Sequence, residues 1–307
     1  MPESIGFTSP VAGLIARRRS CRKYREAPLA DEARLALERF LAAQRTGPFG
    51  GRARFALAAA TAEDRSALRG LGTYGFIAGA PAFIVGAVGR GVRDLEDYGY
   101  LLERAILRAT DLGLATCWLG GTFSKSGFAK RIAPGADELM PAVAAVGYAA
   151  DGGLEKDRIR RLAGAHSRCP PGELFFDGAF GVPLPPEGAG AYAAALEAVR
   201  WAPSASNRQP WRIVRNPSGW HFYLERTKGY GKGTLVFTVL RLADLQRIDL
   251  GIALCHFELV AREAGLGGAW VLEDPGLAPP VSGMLYVATW HPGAKSFEKT
   301  SLSSPTL

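Results

Sequence analysis

The feature that most constrains this chain is that it repeats itself. Ala36-Leu37-Glu38 returns as Ala195-Leu196-Glu197, an offset of 159 (195 − 36). Gly113-Leu114 with Trp118 returns as Gly265-Leu266 with Trp270, an offset of 152 (265 − 113). At that second offset Asp97 and Gly99 fall on Asp249 and Gly251, inside two helices predicted over 93–112 and 242–264 by three-and-four apolar spacing. A strand predicted over 142–148 is answered by one over 284–290. Earlier in the chain, a helix is expected over 31–43 and a compact apolar strand over 82–88. Spacing of this kind points to a unit of roughly 150 residues used twice, with chance similarity in a Leu/Ala/Gly-rich chain as the alternative. Pro183–Gly190, rich in Pro and Gly, reads as the linker. The expected organisation is a first half over 1–182 and a shorter second half over 183–290. A Ser/Thr/Lys-rich tail over 291–307, without apolar pattern, is expected to be disordered.

Composition sets the class. With 307 residues, 48% hydrophobic and 21% charged, the chain can bury one large core or two modest ones. No apolar run approaches the ~20 residues of a membrane span, and weakly apolar residues precede Arg17-Arg18-Arg19, the reverse of a secretory signal. Cys21, Cys117, Cys169 and Cys255 lie far apart without a CxxC pair, which argues against a disulfide framework or a zinc site. A soluble cytoplasmic protein is expected. The net charge of +8 suits anionic ligands. Its spread along the chain argues against nucleic acid.

Two stretches carry chemistry. A helix opened by Ser9-Pro10 delivers Arg17-Arg18-Arg19-Ser20-Cys21-Arg22-Lys23-Tyr24, whose guanidinium forks and hydroxyl suit a phosphate. By itself it reads first as an exposed basic surface. The second stretch is the corner Arg200–Arg215. A helix runs into Pro203, which cannot continue it, and Ser204, Ser206 and Asn207 supply side chains that hold a loop. Gln209-Pro210 keeps the chain extended, and Trp211, Ile213 and Val214 start a strand. Taken alone, this corner could simply cap a helix.

The Ala-Pro-Ser-x-x-Asn-x-Gln-Pro-Trp pattern of 202–211 and the Arg-Arg-Ser-x-Arg-x-Tyr pattern of 18–24 resemble the FMN-dependent nitroreductase family. The chain resembles that family's fused, single-chain branch over about 10–290. The resemblance implies an α+β, nitroreductase-like fold whose two tandem half-units form an intramolecular pseudo-dimer, monomeric overall. It implies that Arg18, Arg19, Ser20 and Arg22 contact the FMN phosphate. Ser167 and Arg168 return to that phosphate, with Cys169 where the family often has Lys. Gly120 and Gly121 place backbone N–H groups near flavin N5 and O4, where glycine permits close approach. Tyr74 touches the pyrimidine edge, and Pro203, Ser204, Ala205 and Asn207 reach in from the opposite half. Trp118 and Trp211 read as core. Only the first half carries the arginine motif and only the second the Pro-Ser pair, so one FMN per chain is expected.

The implied chemistry is hydride transfer from NADH or NADPH through flavin N5 to a nitroaromatic, quinone or similar small acceptor, with no catalytic side chain and no metal. Two alternatives stay open. One is a relative with a specialised dehydrogenase, dehalogenase or flavin-modifying task; the other is a non-catalytic flavin-binding sensor or storage protein.

Overall fold

A computed structural model describes residues 6–61, 66–121, 123–151, 164, 167–229 and 243–293. Its first unit holds helices α1 (Val11–Arg17) and α2 (Asp31–Ala43), strands β1 (Ala53–Ala59) and β2 (Ala82–Gly89), and helix α3 (Asp94–Asp111). Strand β3 (Ala115–Leu119), helix α4 (Lys125–Ile132) and strands β4 (Glu138–Leu139) and β5 (Val143–Gly147) complete it. After a short helix α5 (Pro171–Leu174) and strand β6 (Phe175–Asp177) come α6 (Ala193–Arg200), β7 (Trp211–Asn216) and β8 (Gly219–Glu225). The last described elements are α7 (Leu245–Glu263), β9 (Gly268–Val271) and β10 (Met284–Pro292).

The duplication is visible in the sheets. The first has the order β1-β2-β5-β3, and the second repeats it as β7-β8-β10-β9. Neighbours along both paths are antiparallel. The fold is therefore mixed α and β, in two tandem units. Strand β6, contributed by the chain ahead of the linker, pairs in parallel with β7 and completes the second sheet.

The units meet through α3 and α7. Helix α7 is apolar around most of its circumference, with Ile248, Leu250, Ile252, Leu254, Phe257 and Leu259 all buried, as a helix at the centre of a molecule must be. Close approach depends on the repeated glycines: a Cβ on Gly99 would overlap the carbonyl oxygen of Ile248, and one on Gly251 that of Glu96. At the start of α7 the Arg247 guanidinium crosses the seam to Glu96 and Asp94, at 2.5 and 2.9 Å.

Boundaries at α2, β2, α3 and β5 fall within a residue or two of expectation. Three details differ. Ser9 does not cap α1 with its hydroxyl; the free N–H groups of Val11 and Ala12 donate instead to the Glu263 carboxylate from the end of α7, at 2.6 and 3.2 Å. Helix α7 begins at Leu245, where Asp244 accepts from the backbone of Arg247. Strand β10 continues through His291 and Pro292 because they pair with Ala269 and Gly268. Residues 152–163 and, in the tail, 294–307 lie outside the described residues.

Candidate functional site

The corner after α6 is built from unfavourable backbone. Ser206, Asn207 and Gln209 all have positive φ, at 50°, 53° and 49°, a left-handed conformation that costs most side chains energy. The surroundings hold it in place. Both oxygens of Asp249 on α7 accept from the Ala205 N–H, at 3.0 and 3.1 Å, and the Gln209 N–H donates to Ser204 Oγ at 2.9 Å. Burial pushes the Asp249 carboxyl well above the usual carboxylate range, against the pull of that backbone bond. The repeat partner Asp97 does the same work in the first unit, accepting from Phe49 and Gly51 N–H at 2.9 and 2.6 Å. Burial raises it to about 7.

The strained corner forms one wall of an open cleft of about 600 Å³, mouth included. Pro203, Ser204, Ala205 and Ser206 come from the second unit, and Ser20, Arg22, Trp118 and Gly120 from the first. Leu245, Ile248 and Ile252 on α7 close its floor with apolar side chains. Ser20 reaches the cleft because its backbone pairs in parallel with Thr116 on β3. Gly120 is close-packed: a Cβ there would lie 2.6 Å from Leu245.

Other predicted residues sit around this cleft rather than in it. The guanidiniums of Arg19 and Arg168 converge on the Trp201 ring, 5.9 and 5.1 Å from its centroid, and Arg200 joins them at 5.8 Å. These three cations stand at the end of α6, two residues before Pro203. Asn207 is not among the residues that line the cleft. Its amide donates to the carbonyls of Gly164 and Ser167 at 2.8 and 3.1 Å and its oxygen accepts from Arg168 at 3.1 Å. It thus ties the end of the first unit to the corner of the second.

Arg18 is buried beneath. Its Nε lies 3.7 Å from Glu103, while Nε and Nη1 have no hydrogen-bond partner among the described residues; burial lowers its pKa, opposed by Glu103. Glu103 in turn accepts from the Trp118 indole N–H at 2.7 Å and contacts His256 Nε2 at 3.0 Å. Trp118 is therefore both packed and part of the cleft wall, whereas Trp211 is fully buried. Gly121 is exposed next to the cleft, and Tyr74 stands 71% exposed in the turn at 73–76, outside the cleft lining.

Among the described residues no group of His, Cys, Asp and Glu is arranged to hold a metal, and no helix is long and apolar enough to cross a membrane. Sequence reasoning missed Trp201, Arg200 and the α7 floor. Trp201 stands directly before the Ala-Pro-Ser corner pattern, and that adjacency was the available signal.

A family model described as "Putative TM nitroreductase" matches residues 11–261. The chain belongs to the TM nitroreductase family. The crystal structure of a "putative nitroreductase" from Thermotoga maritima matches this family member with a TM-score of 0.55 and 20% identity, over 92% of this chain and 93% of that one. At that identity the match shows the fold. A nitroreductase with bound FMN from Bacteroides fragilis is 19% identical over 49% of this chain and 94% of its own, with a TM-score of 0.37. One in complex with FMN from Desulfovibrio desulfuricans is 25% identical over 49% and 92%, also at 0.37. No curated protein matches the chain.

Proposed function

We propose that this TM nitroreductase family member is an FMN-dependent oxidoreductase with one flavin site per chain. The reading rests above all on a single cleft that joins the first unit's Ser20, Arg22 and Gly120 to the second unit's Pro203–Ser206 corner. The residues present fit the cofactor. The apolar floor of Leu245, Ile248 and Ile252 suits a flat hydrophobic ring, and Gly120 leaves backbone exposed where a side chain would intrude. Arg19 and Arg168 at Trp201 supply guanidinium forks for a phosphate. Arg18 is buried with its Nε 3.7 Å from the Glu103 carboxylate.

When bound, FMN supplies two-electron hydride chemistry, taking hydride from NADH or NADPH and delivering it to a nitroaromatic, quinone or similar acceptor. The protein's part is positional. The Asp249 anchor fixes the corner over the cleft, and the Trp118–Glu103–His256 chain fixes the opposite wall.

The test is flavin stoichiometry followed by turnover. Purified protein, reconstituted with FMN and freed of excess, should release about one FMN per chain on heating and oxidise NADH or NADPH when a quinone is supplied. Two flavins per chain would remove the single-site reading. Stable flavin without turnover on any donor would remove the enzymatic one.

A further inference from the structure

The pseudo-symmetry that makes the first cleft also makes a second. The corner Thr46–Gly50, held by Asp97, faces the strand run Ala269–Glu273. This second cleft is more open, with about 1880 Å³ of empty space, mouth included. Its corner and strand run parallel those of the first, while Glu258 and Arg262 line it from α7, the helix that also floors the first. Trp270, offset by 152 from Trp118, lines it, and its indole N–H donates to Glu258 at 2.6 Å much as Trp118 donates to Glu103.

The lining chemistry has changed. At the same offset Leu272 stands where the first cleft has Gly120, and Glu273 where it has Gly121. A 49%-exposed leucine side chain now projects where close backbone approach would be needed, which disfavours a flavin. Phe49, Trp270, Val271 and Leu272 provide an apolar and aromatic surface. Arg52 lies on the rim with an exposed side chain that makes no hydrogen bond or ion pair among the described residues. Arg262, by contrast, donates through Nε to Glu258 at 2.7 Å and rests on the Trp290 ring at 5.4 Å.

We propose that this second cleft binds a small planar aromatic carboxylate, with the ring against Trp270 and Phe49 and the carboxylate on the Arg52 guanidinium. The charges decide the class. Glu258 is already satisfied by Arg262, Trp270 and Tyr100. Arg52 offers a fork whose geometry matches a carboxylate. Glu273, also in the lining, repels an anion and so weakens the binding of a carboxylate there. The second cleft keeps this role whether or not the first holds FMN.

The experiment uses 2-naphthoate as probe on the full chain with excess FMN present, read by calorimetry and by tryptophan fluorescence. One saturable naphthoate per chain is expected. Arg52→Ala should weaken it about tenfold, Glu273→Gln should tighten it about threefold, and neutral 2-naphthalenemethanol should bind far more weakly. Both positions are at the surface, and unchanged melting curves for both variants confirm that they fold. The proposal is overturned by the absence of saturable binding up to millimolar probe. It is equally overturned by affinity that neither variant alters, or by a naphthoate site that FMN displaces.

Discussion

Asp97 and Asp249 show how a single repeated residue can organise both halves. Each is buried on a central helix and accepts from the corner that follows the preceding helix, Asp97 from two backbone N–H groups and Asp249 from one. Because burial raises Asp97 from 3.8 to about 7, the folded state binds its proton more tightly than the unfolded chain does. That contribution is fully present below pH ~4 and is lost as pH rises through about 7. At about 1.4 kcal/mol for each tenfold change in proton affinity, it amounts to a few kcal/mol. Denaturant titrations between pH 4 and 8 should therefore show Asp97→Asn with a flatter pH profile than the parent, despite lower stability at acid pH from an imperfect match to two N–H donors. Parallel profiles would mean that Asp97 is ionised throughout. A second prediction concerns Arg168, proposed above to hold the FMN phosphate. Arg168 meets both Trp201 and Asn207, so Arg168→Ala should weaken FMN binding by ten- to a hundredfold, or about 1.4–3 kcal/mol. Titration of FMN followed by tryptophan quenching measures this, and an unchanged Kd would place the phosphate elsewhere.

At the scale of elements, the decisive contact is the crossing of α3 and α7. Gly251→Ala places a methyl group against the Glu96 carbonyl oxygen, and backbone cannot move aside as a flexible side chain can. The expected loss is at least about 2 kcal/mol in unfolding free energy, while Gly267→Ala, which meets nothing within 4 Å, should leave the midpoint nearly unchanged. Equal effects would show that the seam tolerates separation. Much of this level was legible in the sequence. The offset of 152 aligned Asp97 with Asp249 and Gly99 with Gly251, and periodicity located both central helices. Less legible was everything made by distant pairing. Strand β8 (Gly219–Glu225) is almost wholly buried and has no clean alternation to announce it. Ser9 looked like a helix cap, but its place is taken by Glu263, about 250 residues away, which no local pattern encodes. The arginine cluster was legible as chemistry but not as geometry. One of its members is buried against Glu103, one lies on Trp201 and one lines the cleft.

At the scale of the whole molecule, the two units are interlocked rather than merely joined. Strand β6 precedes the linker yet completes the sheet that follows it, Glu263 caps the first helix, and Arg247 is paired with Glu96 and Asp94. The candidate cleft takes its walls from both sides of this seam. The covalent link through the exposed Gly190 is then needed to bring the units together at high effective concentration, not to hold the folded pair. A protease site inserted between Gly188 and Gly190 tests this directly. After cleavage, the two fragments should still co-elute as one species in size-exclusion chromatography and keep a flavin loaded beforehand. After denaturation and dilution at low concentration, the cut protein should recover flavin binding more slowly than the intact chain, and with a rate that depends on concentration. Separation of the fragments under native conditions would mean that the seam alone cannot sustain the cleft, and that the fused chain is itself part of how the site is held.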